Sequence, residues 1–487
     1  MKKELEQLRE YEKEFSLLSG IGTLLHWDRA TVMPPSAISQ RADQIALISK
    51  ELYLKSTSPE FKGLIKTLSN KKLNKLDSLK VEKHEKALKK IERIPLEHVE
   101  EMSKLITKAS LAWEEAKEKS KFAIFAPYLQ KIVEMRKKEA KLIDPKKHPY
   151  DVLLDDFEEG MTVEHLKKVF DTLKIGLLEL FNKVKGKEVH SIHHKNFSEE
   201  GQKKITQDVI QRIIGEGDRI YQAESVHPFS NPISADDVRL TTAYDRKEPL
   251  FSYIATCHES GHALYELGFD QKLRDTSLAS APSIGLHESQ SKFWECFIMK
   301  NKDWWSYYYP FFKKTYNLRA DKDHFLDHLN EVKASPIRIR ADEITYPLHV
   351  IIRFELEIEL IEGKLKVKDL PEAWNNKYQA YLGIVPKNDS EGVLQDTHWS
   401  LGYIGYFPTY AIGVMYAASI FSKMKKDHPK LEKDLHRGDF GYVKRWLHEN
   451  IHRHGSSMIA SEIIKKATGK ELNSDDLLDY LKGKYLA

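Results

Sequence analysis

PLFSYIATCHESGHALYELGF, residues 249 to 269, decides the fold class, because its apolar residues recur at helical spacing and no proline follows Pro249. The same periodicity extends outward in both directions. Residues 1 to 140 are rich in Glu, Lys and Leu, with apolar residues three and four apart and a break at Pro34 and Pro35. Helical patterns also continue from Pro249 to the C-terminus. The sequence therefore predicts a mostly helical, all-α fold.

One stretch before this helix differs in character. Residues 162 to 222 still have a helical pattern, apart from a polar link around residues 186 to 198. Residues 227 to 245 (HPFSNPISADDVRLTTAYD), by contrast, contain two prolines and several turn-forming residues. Within that stretch, residues 237 to 244 alternate and are rich in β-forming types, so the sequence predicts a small β element near 237–245. We expect either an exposed edge strand, to which an extended peptide adds as a further strand, or a small structural hairpin.

The organisation along the chain favours one domain. No internal repeat, low-complexity block or Gly/Ser/Pro-rich linker interrupts the 487 residues. We therefore expect one large helical domain over residues 1–487, and whether it has one lobe or two stays open. The most apolar stretch, residues 409 to 421, is too short and too interrupted to span a bilayer, so it predicts a buried helix.

Charge and cysteine content exclude several classes of protein. Lys and Arg number 77 against 73 Asp and Glu, and a net charge of +4 is small for this length. Neither nucleic acid nor a membrane is therefore expected as a partner. The charged N-terminal segment lacks the apolar core of a signal peptide. Two cysteines, Cys257 and Cys296, are too few for a disulfide framework, so reduced thiols and a cytoplasmic location are expected.

A metal-binding pattern lies inside the quoted helix. His258 and His262 are four residues apart, so both imidazoles share one face of a helix and reach one ion. Glu259 lies beside them as a base for a water molecule at that ion. The pentapeptide HESGH alone is moderate support for such a site, because a chain with 21 histidines contains accidental pairs.

A catalytic zinc usually takes three protein ligands and leaves one position for water. Gly268 occupies the position where the longer motif would have a third histidine. Glu288, 26 residues beyond His262 and after a loop of small residues, is the expected third ligand on a second helix. His287 and Cys257 each lie one position off the ligand face, so we do not expect them to bind the ion.

Further motifs carry a family resemblance. Beyond HESGH, H-E-S recurs at 287–289, I-R-x-x-A-D matches residues 337–342, and G-x-x-Q-D-x-H-W matches residues 392–399. With these motifs in order, the chain resembles the carboxypeptidase Taq family of metallopeptidases (the M32 peptidase family). Weaker similar segments span most of the chain: HWDRATVMPP (26–35), YDVLLDDFEEGMT (150–162), DVRLTTAYD (237–245) and GYFPTYAIG (405–413).

The resemblance implies a function and an architecture. It implies a zinc metallocarboxypeptidase that releases single amino acids from the C-termini of unfolded peptides. It also implies a gluzincin-like helical body with a deep central groove, a homodimer, and cobalt as an activating substitute for zinc. The substrate is then a peptide with a free C-terminal carboxylate.

The resemblance also suggests roles for residues outside the zinc trio. Tyr410 and His398 are the expected donors to the oxyanion, with Tyr406 as the second choice. Arg338 is expected to bind the substrate carboxylate, with Arg340 as the alternate, since a bidentate arginine suits that group. An acidic side chain should accept a hydrogen bond from a ligand imidazole and orient it, and the sequence leaves Glu295 and Asp342 open as choices for that acid.

Simpler interpretations stand beside these. The tyrosines also fit a packed aromatic core, and the arginines also fit an ion pair with Asp342 or Glu343. For the whole chain, one alternative is a zinc endopeptidase or dipeptidyl carboxypeptidase of the same helical type. Another is a helical binding scaffold with a structural zinc, which would need a fourth ligand that the sequence does not offer.

Overall fold

The computed structural model describes residues 1–187, 189, 192 and 196–486. The α-helices of this part of the chain are α1 (Lys2–Thr31), α2 (Ile38–Ser56), α3 (Pro59–Ser69), α4 (Lys75–Arg93), α5 (Leu96–Glu118), α6 (Ala126–Ile143), α7 (Pro149–Leu154), α8 (Val163–Val184), α9 (Glu199–Ile213), α10 (Pro249–Leu267), α11 (Ile284–Lys292), α12 (Lys302–Tyr316), α13 (Lys322–Leu329), α14 (Tyr346–Glu362), α15 (Leu370–Leu382), α16 (Pro408–Asp427), α17 (Leu431–Leu435), α18 (Gly441–Asn450), α19 (Ala460–Thr468) and α20 (Asp475–Tyr485). The strands are β1 (Ile220–Glu224), β2 (Ser230–Ser234) and β3 (Asp237–Thr242). The mostly helical fold with a small β element is as the sequence predicts.

The N-terminal helices contain the predicted proline break and a small core of their own. Helix α1 ends at Thr31, and Pro34 leads into a short 3-10 turn, Pro35–Ala37, before α2. Proline lacks an N–H and fixes φ, so it ends one helix and starts another. The apolar faces of α1, α3 and α4 bury a separate cluster made of Leu8, Phe61, Leu64, Ile65, Leu68, Val81 and Leu88.

The β element is a three-stranded sheet, and β3 lies at its centre. The strand order is β1-β3-β2, with β1 parallel and β2 antiparallel to β3. Leu240 of β3 therefore stands opposite Gln222 on one side and Ser230 on the other. Val238 and Leu240 are fully buried and pack with Ala263 of α10.

Two details of the sequence prediction are wrong here. Of the two alternatives for the strand at 237–242, the exposed edge is wrong: the strand is central, so its backbone is paired on both sides and cannot take up a peptide, whereas its antiparallel pairing with β2 agrees with a hairpin. The helical pattern does not continue to residue 222, because β1 begins at Ile220. In both cases pairing with a distant segment decides the structure, and local periodicity does not register such pairing.

Three helices that cross closely form the centre of the main core. A Cβ atom on Gly261 of α10 would lie 2.6 Å from the carbonyl oxygen of Gln290 on α11. A Cβ atom on Gly413 of α16 would lie 2.8 Å from Cγ of Glu288. Glycine at these positions therefore lets α10 and α16 approach α11 from two sides. This packing fixes where the side chain of Glu288 lies.

Helix α16 contains the most apolar stretch of the sequence. Residues 411 to 421 of this helix are all buried within the main core, as the sequence predicts for a core helix. Among the described helices, none combines the length and the apolar character that crossing a membrane requires.

Candidate active site

Two imidazoles and one carboxylate converge where α10 packs on α11. The rings of His258 and His262, one turn apart on α10, have centroids 4.9 Å apart. Their Nε2 atoms lie 3.6 and 3.5 Å from Oε2 of Glu288. All the donor atoms lie within 4.8 Å of one another. Ligands at ~2.0–2.1 Å from a tetrahedral ion stand about 3.3 Å apart, so this trio fits one divalent cation.

The helix that carries Glu288 changes its winding just after it. Ser283 caps the N-terminus of helix α11, and its hydroxyl accepts a hydrogen bond from the Leu286 N–H at 3.0 Å. After Lys292 the chain continues as a π-helical segment, Phe293–Ile298. Such segments are rare and occur often at functional sites. This one contains Glu295.

Glu295 orients one of the two imidazoles. The Nδ1 atom of His258 lies 2.8 Å from Oε2 of Glu295, which also accepts a hydrogen bond from Nζ of Lys292 at 2.8 Å. A proton held on Nδ1 leaves Nε2 with a free lone pair toward Glu288. Asp342, the other acid that the sequence left open, instead accepts hydrogen bonds from Thr345.

The protonation of His262 and Glu288 suits metal binding. For His258, burial would lower the pKa, but the carboxylates of Glu288, Glu295 and Glu259 raise it. Burial, together with the neighbouring imidazoles of His287 and His258, lowers the pKa of His262 to about 3. Burial alone would raise the pKa of Glu288, but His258 and the other cations around it hold that pKa at about 2. At neutral pH His262 is therefore neutral and Glu288 is ionised, which are the forms that bind a metal ion.

Glu259 is a buried carboxyl beside the trio, with 6% of its surface exposed. Burial raises its pKa to about 7, and the neighbouring His258 acts in the opposite direction. A carboxyl group whose pKa lies near neutrality can both accept and return a proton. This is the property that a general base and acid needs.

A cluster of polar aromatic residues lies next to the trio. Nε2 of His398 lies 3.1 Å from the hydroxyl oxygen of Tyr410. The rings of Tyr406 and Tyr410 have centroids 5.5 Å apart, although Tyr406 precedes α16 and only Tyr410 lies within it. The charge of Glu288 helps to raise the pKa of both tyrosines, in each case after burial as the main cause. Both hydroxyls therefore stay protonated and able to donate a hydrogen bond.

His398 is neutral in this environment. Burial lowers its pKa to about 4, and the guanidinium groups of Arg338 and Arg353 act in the same direction, while Asp396 opposes them. A neutral imidazole donates from one ring nitrogen and accepts at the other, so the tautomer of His398 decides whether its Nε2 donates to the Tyr410 hydroxyl or accepts from it.

Arg338 and Arg340 differ sharply in position. Arg338 is 6% exposed, and its guanidinium lies 4.6 Å from the ring centroid of Tyr410. Arg340, two residues later, is exposed to solvent. The backbone in between is a single 3-10 turn, so the two side chains point in different directions. Only Arg338 belongs to the aromatic cluster.

A carboxylate on the G-x-x-Q-D-x-H-W motif holds Arg338. The Nε and Nη2 atoms of Arg338 donate to Oδ1 of Asp396 at 3.1 and 2.9 Å. Nε of Arg353, on α14, donates to Oδ2 of the same carboxylate at 2.7 Å. Two guanidinium groups share one carboxylate, so Arg338, Arg353 and Asp396 together carry one uncompensated positive charge.

Some residues of this cluster lie outside the sequence prediction. Arg353 and Tyr346, whose hydroxyl accepts a hydrogen bond from Nη1 of Arg338 at 3.3 Å, are not among the predicted site residues. Both lie on α14, which the sequence marks only as a helix. Asp396 could have been predicted from the sequence, because it lies within a matched motif two residues before His398.

Comparison with known proteins places these residues in a family. The model of the carboxypeptidase Taq (M32) metallopeptidase family matches residues 7–485. The chain is 41% identical over 494 residues to "Carboxypeptidase 1" of Bacillus subtilis, covering 98% of this chain and 99% of that one. It is 36% identical to "Thermostable carboxypeptidase 1" of Pyrococcus furiosus, with 95% of each chain covered.

The fold is also shared with solved structures. The crystal structure of an M32 carboxypeptidase from Deinococcus radiodurans R1 superimposes with a TM-score of 0.97 at 34% identity, covering 99% of each chain. The family model, the sequence alignments and the structural superposition each cover nearly the full length of the chain. The chain therefore belongs to the carboxypeptidase Taq (M32) family of metallopeptidases.

Proposed function

We propose that this metallocarboxypeptidase removes single residues from the C-termini of unfolded peptides with a zinc ion held by His258, His262 and Glu288. The observation that carries the proposal is the position of Arg338. This buried cation lies against Tyr410, next to the trio. Its charge is only partly neutralised, because Arg338 shares the carboxylate of Asp396 with Arg353. A peptide whose terminal carboxylate contacts Arg338 would present its last peptide bond to the trio.

The donor set favours zinc among divalent metals. Two imidazoles and one carboxylate are typical ligands of catalytic zinc, which keeps a further position for water or substrate. When bound, the ion supplies a Lewis acid that polarises the scissile carbonyl and lowers the pKa of water. Cobalt(II) accepts the same ligand types and is proposed as an activating substitute.

Glycine at position 413 should be needed for tight metal binding. In Gly413→Ala the new Cβ would lie 2.8 Å from Cγ of Glu288 and displace that carboxylate. We expect a loss of zinc affinity of about 10–100-fold, the range found when support of a metal ligand is lost. Competition with a chromophoric chelator measures it.

The matched control for this substitution is Gly63→Ala, since Gly63 lies in α3 with open space around its Cα. That variant should bind zinc as the parent does. Wild-type zinc affinity in Gly413→Ala would contradict the assignment of Glu288 as a ligand fixed by α16.

Glu259 is proposed as the general base. In its ionised form it accepts a proton from the attacking water, and it then delivers that proton to the leaving amine. Its burial beside the trio keeps the proton within the site between these two steps. Tyr410 and His398, with Tyr406 next to them, donate to the carbonyl oxygen as negative charge develops on it.

Release of single residues distinguishes this function from its alternatives. A zinc endopeptidase or dipeptidyl carboxypeptidase of the same helical type would use the same trio. We expect the purified enzyme to shorten a peptide by one residue at a time and to leave the same peptide with a C-terminal amide intact, as read by mass spectrometry. Treatment with a chelator should abolish the reaction.

Other outcomes of that assay would each point to a different enzyme. Cleavage of the amidated peptide within its sequence would indicate an endopeptidase. Loss of residues two at a time would indicate a dipeptidyl carboxypeptidase. We further propose a homodimer that works in the cytoplasm; both of its cysteines are free and buried, which is compatible with a reducing compartment.

A further inference from the structure

A buried carboxyl group on α14 lies behind the aromatic cluster. Glu357 is 1% exposed and accepts three hydrogen bonds. Burial raises its pKa to about 7, the three hydrogen bonds oppose that shift, and Arg353 opposes it least. Burying a carboxyl group is costly, and hydrogen bonds rather than an ion pair offset that cost here. Its donors therefore indicate what the group does.

Two of the three donors belong to the segment that bears the proposed oxyanion donors. Oε1 of Glu357 accepts from Nε1 of Trp399 at 2.7 Å, and Trp399 directly follows His398. Oε2 accepts from the N–H of Gly405 at 3.0 Å, and Gly405 directly precedes Tyr406. One carboxyl group thus joins the two ends of the segment 398–406.

The third donor connects this arrangement to the helical framework. Oε2 of Glu357 also accepts from the hydroxyl of Tyr150, on α7, at 2.7 Å. Gly405 has φ +91°, and a Cβ there would lie 3.1 Å from the backbone of Leu153 and Leu154. The segment is therefore seated against α7 as well as α14, at a place where only glycine fits.

A carboxylate suits this position better than an amide. In its ionised form it offers two acceptor oxygens and no donor, which matches three inward-pointing donors. A glutamine would present an NH₂ group to at least one of them and leave it unsatisfied. None of these hydrogen bonds involves His258, His262 or Glu288, so the side chain does not hold the metal-ligating trio in place through them.

We propose that Glu357 is a positioning residue for the reaction: by tying Trp399 to Gly405 it sets the places of His398 and Tyr406, and through His398 that of the Tyr410 hydroxyl. The inference rests on the proposed function, in which these side chains stabilise the developing oxyanion. A displacement of about 1 Å in such a donor costs up to ~10²-fold in rate. The effect should therefore fall on kcat, because Arg338 and the trio, which bind substrate and metal, keep their own contacts.

Two variants, one of Trp399 and one of Tyr150, test the inference without altering the carboxyl group. Trp399→Phe removes the donor next to His398, whereas Tyr150→Phe removes a donor of the same length that lies outside the segment. On a peptide with a free carboxylate, we expect Trp399→Phe to lower kcat by ~10–10²-fold with KM little changed. Tyr150→Phe should keep kcat within about twofold of wild type, since the segment keeps both of its bonds.

Glu357→Gln extends the test. It should lower kcat by ~10–10²-fold at unchanged zinc content, and adding Trp399→Phe to it should cause little further loss, because the two residues act through one contact. Equal loss of kcat in Trp399→Phe and Tyr150→Phe, or wild-type kcat in Glu357→Gln, would overturn the inference. If Glu357→Gln does not fold, the Trp399 and Tyr150 pair still decides. Failure of the proposed function is separate, because wild-type enzyme would then not cleave the peptide.

Discussion

Glu259→Gln will keep its metal and lose nearly all turnover. The substitution preserves the shape of a buried side chain and removes the carboxylate that we propose as the acceptor of the water proton. We expect kcat to fall by ~10²–10⁴-fold, the range that general base catalysis contributes, with the zinc content unchanged. Steady-state kinetics on a peptide with a free carboxylate, with metal analysis of the same preparation, measure both quantities.

The control for this variant is the same chemical change at a surface position. Glu372, on α15, is exposed, so Glu372→Gln should match the wild type in kcat and zinc content. A Glu259→Gln enzyme that retains its zinc and a kcat within about threefold of wild type would remove Glu259 from the role of base.

Arg338→Ala should weaken recognition of the substrate's C-terminal carboxylate. Loss of one partner of a buried, hydrogen-bonded charge pair costs ~2–5 kcal/mol, so kcat/KM should fall by at least ~30-fold, mainly through KM. Asp396 keeps its partner Arg353 in this variant, so no buried carboxylate is left unpaired. The readout is kcat/KM for a free peptide and its C-terminal amide, whose ratio should approach one in the variant.

Arg340→Ala is the matched control, because Arg340 is exposed two residues along the same turn. It should leave the kinetic constants within about twofold of wild type. The assignment of the two arginines would be reversed if Arg340→Ala raised KM and Arg338→Ala did not.

The helical elements were predictable because their signals are local. Periodicity and the proline at its first turn set the limits of α10, and the i, i+4 spacing places His258 and His262 on one face of it. The third member of the trio lies on another helix, and its distance from the imidazoles depends on how α10 and α11 cross. Gly261 makes that close crossing, but its role is visible only when Gln290 is seen against it.

The parts that the sequence left open or missed depend on long-range contacts. The strand at 237–242 has a clear β composition, yet its central place depends on pairing with β1 and β2, which lie in turn-rich sequence. The choice between Glu295 and Asp342 depends on the π-helical turn after Lys292. Arg353 and Glu357 lie on a helix whose pattern indicates burial and says nothing of the motifs that it meets.

The central claim is that one zinc ion is held by His258, His262 and Glu288. Anomalous diffraction from crystals of active enzyme, measured on both sides of the zinc absorption edge, tests it directly. The account predicts one strong zinc peak per chain at ~2.0–2.2 Å from Nε2 of both histidines and from a carboxylate oxygen of Glu288. A fully active enzyme with no metal peak between these three side chains, or with its metal bound by other residues, would contradict it.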